Sequence, residues 1–306
     1  MTRLSTPSIS VVLPTYQRAH VVADAIASVL RQTYPSFELL VVDDGSTDGT
    51  AEVVSSFKDA RLKLVTIEHG GRSRARNEGA ARASGEVLTF LDSDDQANPV
   101  WLERLSTAFD DPGIAGVCCG ARLTTEAPAT QTVTERVVLP CRFSAHSSTV
   151  GLFSAGTFAV RRTVFEAIGG YDDRLEFSEN AELAIRLVMH SEERAFAFAT
   201  VNEPLIWIRR RRAAPCEAEY RARFESAELI LRLHGTRYRR AGAAFWASYR
   251  AVAAVNAYRL GLSGRGLRHS IAAAAGNPGQ LVHWGRVTLG LVPPLARRFW
   301  TRPIEK

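Results

Sequence analysis

Six aspartates lie in two short clusters, and each cluster directly follows an apolar run of the kind that forms a buried strand. The runs are residues 37–42 and 87–91, and the aspartates that follow them are Asp43, Asp44, Asp48, Asp92, Asp94 and Asp95. Carboxylates crowded at the end of a strand repel one another, so they need water, a cation or a hydrogen-bond donor nearby. Two such strand ends in one sheet predict a site for a metal ion and a polar ligand.

The second cluster contains a D-x-D motif, Asp92-Ser93-Asp94. Alternate side chains of an extended backbone point the same way, so Asp92 and Asp94 can converge on one hard cation. Mg²⁺ and Mn²⁺ prefer one or two carboxylates together with phosphate oxygens, which leaves room for a diphosphate. A solvated acidic loop has the same composition, so the motif becomes informative only with its surroundings.

The elements that would position these acids alternate between short apolar runs and helical patterns, from Ile9 to about Cys119. Predicted strands cover residues 9–13, 37–42, 62–67, 87–91 and 114–119, and Pro14 is expected to end the first of them. Predicted helices cover residues 21–30, 73–83 and 99–109, and another runs from a cap at Ser46 or Asp48 to about Phe57. This alternation predicts an α/β fold with a mostly parallel, Rossmann-like sheet flanked by helices.

Later segments give weaker patterns. Residues 130–138 fit an added strand, residues 154–161 a strand and residues 181–189 a helix. After residue 215, segments rich in Ala, Arg and Leu predict two or three helices, with breaks near Gly235, Ser263-Gly264 and residues 276–279. We therefore expect a C-terminal helical extension.

The first predicted strand lacks the glycine-rich turn that a nucleotide-binding fold of the dehydrogenase or P-loop type needs. Residues 14–18 hold Pro-Thr-Tyr-Gln-Arg there, with neither a G-x-G-x-x-G motif nor a Walker lysine. Both classes lose most of their support, so the acidic strand ends must carry the functional interpretation.

Composition fits a globular protein of 306 residues, but its charge is divided unevenly. Residues 207–306 hold 19 Lys and Arg against 5 Asp and Glu, whereas residues 1–206 hold 19 against 27. The four cysteines form no C-x-x-C pair, which favours reduced core thiols in a cytosolic protein. No signal peptide and no apolar run of transmembrane length, about 18 residues, are recognisable.

Four motifs, taken in order and with their strand context, closely resemble those of the family 2 glycosyltransferases. They are residues 11–16, residues 41–50, residues 75–79 with Gly85-Glu86, and residues 90–95. The resemblance covers roughly residues 8–210 and is most specific in the first 115 residues. It implies a GT-A fold for residues 1–210, followed by a basic, mostly helical region over residues 211–306.

The resemblance also implies a nucleotide-diphospho-sugar donor, with UDP as the commonest nucleotide of the family, and inversion at the anomeric carbon. By position, Pro14, Thr15 and Tyr16 would border the nucleobase, and Asp44 would accept a hydrogen bond from its imide N–H. Asp43 would support that loop.

The remaining donor-side residues follow from the same resemblance. Arg76 and Asn77 lie on the segment that flanks the nucleotide, and Ser93 lies between the two motif acids. Asp92 would face the ribose or the metal, and Asp94 would bind Mg²⁺ or Mn²⁺ directly. A metal-bound diphosphate is a better leaving group because the cation neutralises the charge that grows on it.

An inverting transfer needs a base to accept the proton of the attacking hydroxyl. The family supplies a Glu-Asp pair at the start of a helix after a Gly-Gly-Tyr/Phe-Asp stretch, which residues 169–172 match. Here Asn180 stands where the aspartate belongs, and an amide cannot act as that base. Glu179 is the preferred base, and Glu182 on the same helix is the alternative.

The basic C-terminal region combines arginine runs with aromatic residues, at positions 209–212, 237–240 and 297–302. This composition suits attachment to an anionic membrane surface. A solvated helical appendage or a dimer surface would have the same composition, and no nucleic-acid module is recognisable.

The sequence thus predicts a cytoplasmic glycosyltransferase with a glycan or lipid-linked acceptor. If the basic region attaches to a membrane, the enzyme would be peripheral to its inner face. Cell-envelope or polysaccharide synthesis would use such an enzyme. The alternatives are a glycosyltransferase-like protein that binds nucleotide-sugars without an effective base, and a sugar-nucleotidyltransferase. The latter class needs a glycine-rich basic loop after its first strand, which residues 14–18 do not provide.

Overall fold

The computed structural model describes residues 7–127, 132–140, 153–211, 216–236, 242–292 and 299, and in it the first four apolar runs form parallel strands. These strands are β1 (Ile9–Thr15), β2 (Phe37–Asp43), β3 (Leu62–Thr66) and β4 (Val87–Phe90), adjacent in the order β3-β2-β1-β4. The prediction that Pro14 ends β1 is wrong, because the strand continues to Thr15 with Pro14 opposite Val42. The pairing of β1 with β4 ends at Val12, so Pro14 has a paired strand, β2, on one side only. A proline, which has no backbone N–H to donate, is tolerated at such a position.

Helices alternate with these strands, as the sequence predicts. They are α1 (Val22–Leu30), α2 (Thr50–Ser56), α3 (Arg72–Ala81) and α4 (Trp101–Ser106), the last continued by a 3-10 turn at Thr107–Asp110. Successive residues of a strand face opposite sides of the sheet. Val11 and Leu13 accordingly belong to one apolar core and Val12 to another, which gives the sheet two buried faces.

The rest of the sheet is mixed. Its strands are β5 (Gln96–Ala97), β6 (Ile114–Ala127), β7 (Thr132–Val138), β8 (Phe158–Arg161) and β9 (Ala197–Arg211). From β4 the order continues β8-β6-β9-β5, with β7 on β6. The β4–β8 and β8–β6 pairs are antiparallel and β6–β9 is parallel. Strand β7 confirms the predicted added strand, β6 is longer than predicted, and β9 has no counterpart in the sequence prediction.

The chain divides into two compact units. The first comprises residues 1–143, 150–173 and 183–212, and the second residues 144–149, 174–182 and 213–306. Two further helices are α5 (Arg162–Ala167) and α6 (Glu179–Arg194). The predicted domain boundary after residue 210 stays a prediction.

The second unit contains four helices in the part that the structure describes, rather than the two or three predicted. They are α7 (Glu217–His234), α8 (Gly242–Arg259), α9 (Ser263–Gly276) and α10 (Leu281–Gly290). Small residues let α8 and α9 approach closely, as Ala247 and Ala251 do against Ala273. The Tyr258 hydroxyl lies 3.2 Å from Ser270 Oγ and 3.3 Å from the Arg286 carbonyl oxygen, which joins three of these helices.

None of the helices in the described ranges is long and apolar enough to cross a membrane. Two of the four cysteines, Cys118 and Cys119, are buried as expected, one on each face of β6. The prediction of a core thiol is wrong for Cys216, which is exposed just before α7. Cys141 lies outside the described residues.

Glu38 of β2 ties together the edge of the sheet opposite the acid clusters. Its Oε1 accepts hydrogen bonds from Ser10 Oγ and from the Ser84 amide, both at 2.6 Å, and its Oε2 lies 2.8 Å from Lys63 Nζ. Burial alone would raise the pKa of Glu38, but hydrogen bonds from Lys63, Ser10 and Ser84 lower the pKa to about 2. One carboxylate therefore joins β1, β2, β3 and the segment before β4.

We expect Glu38→Gln to destabilise the protein at neutral pH more than at low pH. A lowered folded-state pKa contributes stability above the unfolded-state value, 4.5, and this contribution is lost as pH falls towards about 2. Urea unfolding at a series of pH values from 7 downward measures the free energy of unfolding of both proteins. The difference between wild type and variant should narrow below pH 4.5. Glu52→Gln, at an exposed site on α2, is the control; a difference independent of pH would contradict the role of Glu38.

Candidate functional site

The loops after β1 and β2 are bound to each other at the carboxyl edge of the sheet. The amide of Gln17, a residue with a φ of 54°, donates to Ser46 Oγ at 2.9 Å. The Asp48 carboxylate accepts from the Ala19 amide at 3.1 Å and from the Thr50 amide at 3.1 Å. Ser46 and Asp48 therefore organise the two loops, and the N-cap of α2 is Gly49 rather than either predicted residue.

Asp44 connects the loop after β2 to the loop after β3. Its buried carboxylate accepts from the amides of Gly70 and Gly71, each at 2.9 Å, and lies 2.9 Å from His69 Nδ1. Asp43 is also buried, and its Oδ1 accepts from the Ser46 amide at 3.1 Å, which fits the predicted supporting role. Each carboxylate oxygen has two acceptor positions, so Asp44 keeps capacity for a further donor. Its predicted bond to a nucleobase stays a prediction.

A flat aromatic pair lies beside Asp44. The rings of Tyr16 and His69 stack with centroids 4.1 Å apart and an angle of 22° between their planes, and Tyr16 is 42% exposed. Pro14 and Thr15, the other residues predicted to border the nucleobase, are buried at the end of β1, and Thr15 Oγ1 makes no hydrogen bond. From the sequence, His69 before Gly70-Gly71 could reach the donor, but a loop histidine without a chemical role is the favoured interpretation because it carries no spacing signal.

Arg76 and Asn77 on α3 bind two neighbouring loops, at Asp92 and at Tyr171. The buried guanidinium of Arg76 donates to Asp92 Oδ1 at 2.7 Å and lies 5.1 Å above the ring of Tyr171. Asn77 bonds the backbone of Tyr171 in both directions, at 2.9 Å to its carbonyl and 2.8 Å from its amide. A Cβ at Gly170, whose φ is 66°, would lie 2.6 Å from Asn77 Oδ1, so this approach requires glycine.

The turn after β4 carries the D-x-D motif and a third acid. It closes with the Asp95 amide donating to the Asp92 carbonyl at 3.0 Å. Ser93 and Asp95 are buried, while Asp94 is exposed. Asp95 accepts from the Arg209 amide at 3.2 Å, so it attaches the turn to β9 rather than facing solvent.

The three acids interact electrostatically with one another and with nearby arginines. Loss of hydration, and then the carboxylate of Asp92, raises the pKa of Asp94, which Arg18 at 3.9 Å partly offsets. Burial, followed by the charges of Asp92 and Asp94, raises the pKa of Asp95 well above its ordinary value. A divalent cation would relieve this repulsion.

The donor set fits Mg²⁺ or Mn²⁺ shared with a ligand. In the part of the chain that the structure describes, no three His, Cys, Asp or Glu side chains are grouped to hold a metal by themselves. Asp92 and Asp94 would supply two carboxylates, and the oxygens of a bound diphosphate would complete the coordination, as magnesium prefers.

Glu179 and the acids after β4 belong to different compact units. Glu179 is buried at the start of α6, where Asn180 Nδ2 donates to its Oε1 at 3.2 Å. The preceding Ser178 has a φ of 60°, a strained conformation for a residue with a side chain. The catalytic role of Glu179 stays a prediction.

Glu182 has a partner that the sequence did not indicate. Its buried carboxylate Oε1 lies 2.8 Å from Nε2 of His234 at the end of α7. The two residues are 52 positions apart, so no local motif signals the pair. The contact supports an orienting role for Glu182 more than a role as a free base.

Residues 10–169 of this chain match the protein-family model described as glycosyl transferase family 2. One curated relative is the Escherichia coli protein named UDP-Glc:alpha-D-GlcNAc-diphosphoundecaprenol beta-1,3-glucosyltransferase WfgD. It is 44% identical over 95 residues, which are 31% of this chain and 36% of the relative. Glycosyltransferase AglE of Haloferax volcanii is 38% identical over 113 residues, 35% of this chain and 37% of the relative. The matched segments span only about a third of these relatives.

Solved structures share the fold over nearly the whole chain. S. aureus TarS 1–349 in complex with UDP-GlcNAc matches with a TM-score of 0.62 and 17% identity, over 96% of this chain and 90% of that chain. A second match is mannosyltransferase PcManGT from Pyrobaculum calidifontis in complex with GDP-Man and Mn²⁺. It has a TM-score of 0.54 and 22% identity, over 97% of this chain and 84% of that chain. The α/β fold with its helical C-terminal region is thus of the predicted GT-A type. Because the family model covers more than half of its residues, the chain belongs to glycosyl transferase family 2.

Proposed function

We propose that this chain transfers a sugar from a nucleotide-diphospho-sugar to an acceptor hydroxyl, with inversion at the anomeric carbon and with Mg²⁺ or Mn²⁺. The observation that carries the proposal is the linkage of four loops at one edge of the sheet. Gln17 joins the first two loops, Asp44 joins the second and third, and Arg76 and Arg18 reach the acids of the fourth. Ligands of α/β folds bind where the carboxyl ends of strands meet.

The nucleotide would lie against the first three loops. The exposed ring of Tyr16, supported by His69, offers a face on which a base can stack. Thr15 Oγ1 and the remaining acceptor capacity of Asp44 would hydrogen-bond the base, and these groups suit the donor and acceptor pattern of uracil. We infer a UDP-sugar as the donor.

The diphosphate would lie at the acidic turn. Asp92 and Asp94 would hold the metal ion, whose charge stabilises the leaving diphosphate as the glycosidic bond breaks. The buried Arg76 keeps one oxygen of Asp92 fixed at 2.7 Å, which leaves the other oxygen for the ligand. Asn77 would act as a positioning residue, because it fixes the loop whose Tyr171 ring supports Arg76.

Glu179 would accept the proton of the acceptor hydroxyl. Its neighbour Asn180 can donate to Glu179 but cannot accept that proton at neutral pH, so Glu179 is the remaining carboxylate of the pair. In this scheme the hydroxyl attacks the anomeric carbon directly as the bond to the diphosphate breaks, which inverts the configuration.

The names of similar proteins support this donor and acceptor chemistry. The E. coli relative is named for UDP-Glc and a diphosphoundecaprenol-linked sugar, and the two structural neighbours contain UDP-GlcNAc or GDP-Man with Mn²⁺. We propose a glycan or lipid-linked acceptor in cell-envelope or polysaccharide synthesis. The basic C-terminal region would hold the enzyme at the anionic cytoplasmic face of a membrane.

Asp94→Asn should weaken binding of UDP in the presence of Mn²⁺ by about tenfold or more, because it removes one metal ligand. Without a divalent cation, wild type and variant should bind UDP equally weakly. Isothermal titration with and without Mn²⁺ measures both conditions. Asp110→Asn, at an exposed acid away from the motif, is the control, and an Asp94→Asn variant that binds UDP with Mn²⁺ as tightly as the control would contradict the metal assignment.

Glu179→Gln should lower kcat for sugar transfer by roughly a hundredfold or more while UDP binding is unchanged, because only the base is lost. Asn180→Asp should keep or raise the rate, since it restores a second carboxylate. Steady-state transfer assays with several UDP-sugars and lipid-linked or soluble glycan acceptors provide the measurement. Tight donor binding without transfer or hydrolysis, unaffected by either substitution, would identify a binding protein without catalytic activity.

A further inference from the structure

The C-terminal part of the chain has an extreme charge composition. Residues 229–304 contain twelve arginines and no Asp, Glu or Lys. Such a segment attracts anions, and its arginines can form paired hydrogen bonds to phosphate oxygens. The described residues of this segment show where an anion would be held.

A cleft of about 430 Å³ lies within the second unit, between α7, α8 and α10. Its basic side chains are Arg223, His283 and Arg286, and the described residues that line it include no carboxylate. Val252 and Val282 give it an apolar side. A cleft of this composition favours a ligand that carries both negative charge and an apolar part.

Two of the basic groups in the cleft are bonded to each other, whereas Arg223 lies 3.9 Å from Glu219. Arg286 Nη1 donates to His283 Nδ1 at 2.9 Å, so the other ring nitrogen of His283 carries a hydrogen. Burial, and then the charge of Arg286, lowers the pKa of His283, and burial lowers the pKa of Arg286. An anion in the cleft would offset the cost of holding this charge away from water.

Apolar side chains are also exposed on α10 and directly after it. Leu281 is 81% exposed, Trp284 48%, Leu291 65% and Val292 50%. Val282, which lines the cleft itself, is 53% exposed. Exposed leucine, valine and tryptophan beside arginine are the composition of a helix that lies in a membrane interface.

We propose that this cleft binds the phosphate headgroup of a lipid at an anionic membrane surface, while Val252 and Val282, which line the cleft and are 44% and 53% exposed, contact the apolar part of the lipid. The inference deepens the proposed function, on which it rests for the membrane as partner. Nucleic acid would satisfy the arginines but not the exposed apolar side chains. Free phosphate would match neither the valines that line the cleft nor the size of the cleft.

The probe that tests this is a short-chain lipid, dihexanoyl phosphatidic acid, at concentrations where it is monomeric. The full chain should bind it more tightly than it binds inorganic phosphate. Val282→Glu, which adds a negative charge at an exposed position of the cleft, should weaken binding by about tenfold or more. Ile271→Glu on α9 is the matched control, since this residue is 52% exposed, lies outside the cleft and produces the same change in net charge.

A second pair of variants removes positive charge. Arg286→Gln should weaken binding of the short-chain lipid, whereas Arg268→Gln at an exposed position on α9 should leave it unchanged. Circular dichroism checks that Arg286→Gln folds, and Val282→Glu keeps the test decisive if it does not. Sedimentation with phosphatidylcholine vesicles, with and without phosphatidic acid, then measures binding to a membrane surface.

Each outcome supports or overturns the proposal. A selective loss in Val282→Glu and Arg286→Gln supports the cleft. Equal losses in cleft and control variants would mean diffuse charge attraction, and equal affinity for inorganic phosphate would mean a free-phosphate site; either result overturns the lipid assignment. Manganese-dependent UDP binding and its loss in Asp94→Asn are measured on the same preparations, so the donor site of the proposed function stands or fails separately.

Discussion

Buried carboxylate charge at the carboxyl edge of the sheet is the constraint on which the rest of the site depends. Asp44 is compensated by two backbone amides and a histidine, and Asp92 by a buried arginine. Asp95 accepts one amide, and its pKa is raised well above the ordinary value. The first two arrangements fix the loops that surround a ligand. In the third, burial and neighbouring carboxylates raise the pKa values of Asp94 and Asp95, and a bound cation would relieve the repulsion between these carboxylates.

The parallel half of the fold is predictable because its signals are local. Each of β1 to β4 is a short apolar run, and each is followed by a helix close in sequence. The other half depends on pairings that no local pattern encodes. Strand β9 pairs with β6 across some 80 positions, and its residues 197–211 alternate too weakly to indicate a strand. The error at Pro14 has the same origin, because only the arrangement of neighbouring strands shows that the missing N–H is tolerated there.

The candidate site divides in the same way. Its acids could be found from the sequence, since they lie directly after strands and match the motifs of a known family. Their partners could not, because those contacts bridge long intervals. Asn77 bonds Tyr171 across 94 positions, Glu182 meets His234 across 52, and Tyr16 stacks on a histidine of another loop. Sequence motifs therefore indicate candidate ligand-binding groups, whereas the residues that orient those groups emerge only from the fold.

The two ends of the chain would bind phosphate by opposite means in the function that we propose. Residues 1–206 carry more acid than base, and a cation held by Asp92 and Asp94 would neutralise a diphosphate at the edge of the sheet. Residues 229–304 carry arginine and no acid, so a phosphate there would pair with guanidinium groups instead of a metal ion. The two proposed sites would therefore differ in their dependence on a divalent cation, so ligand binding at each could be measured apart from the other.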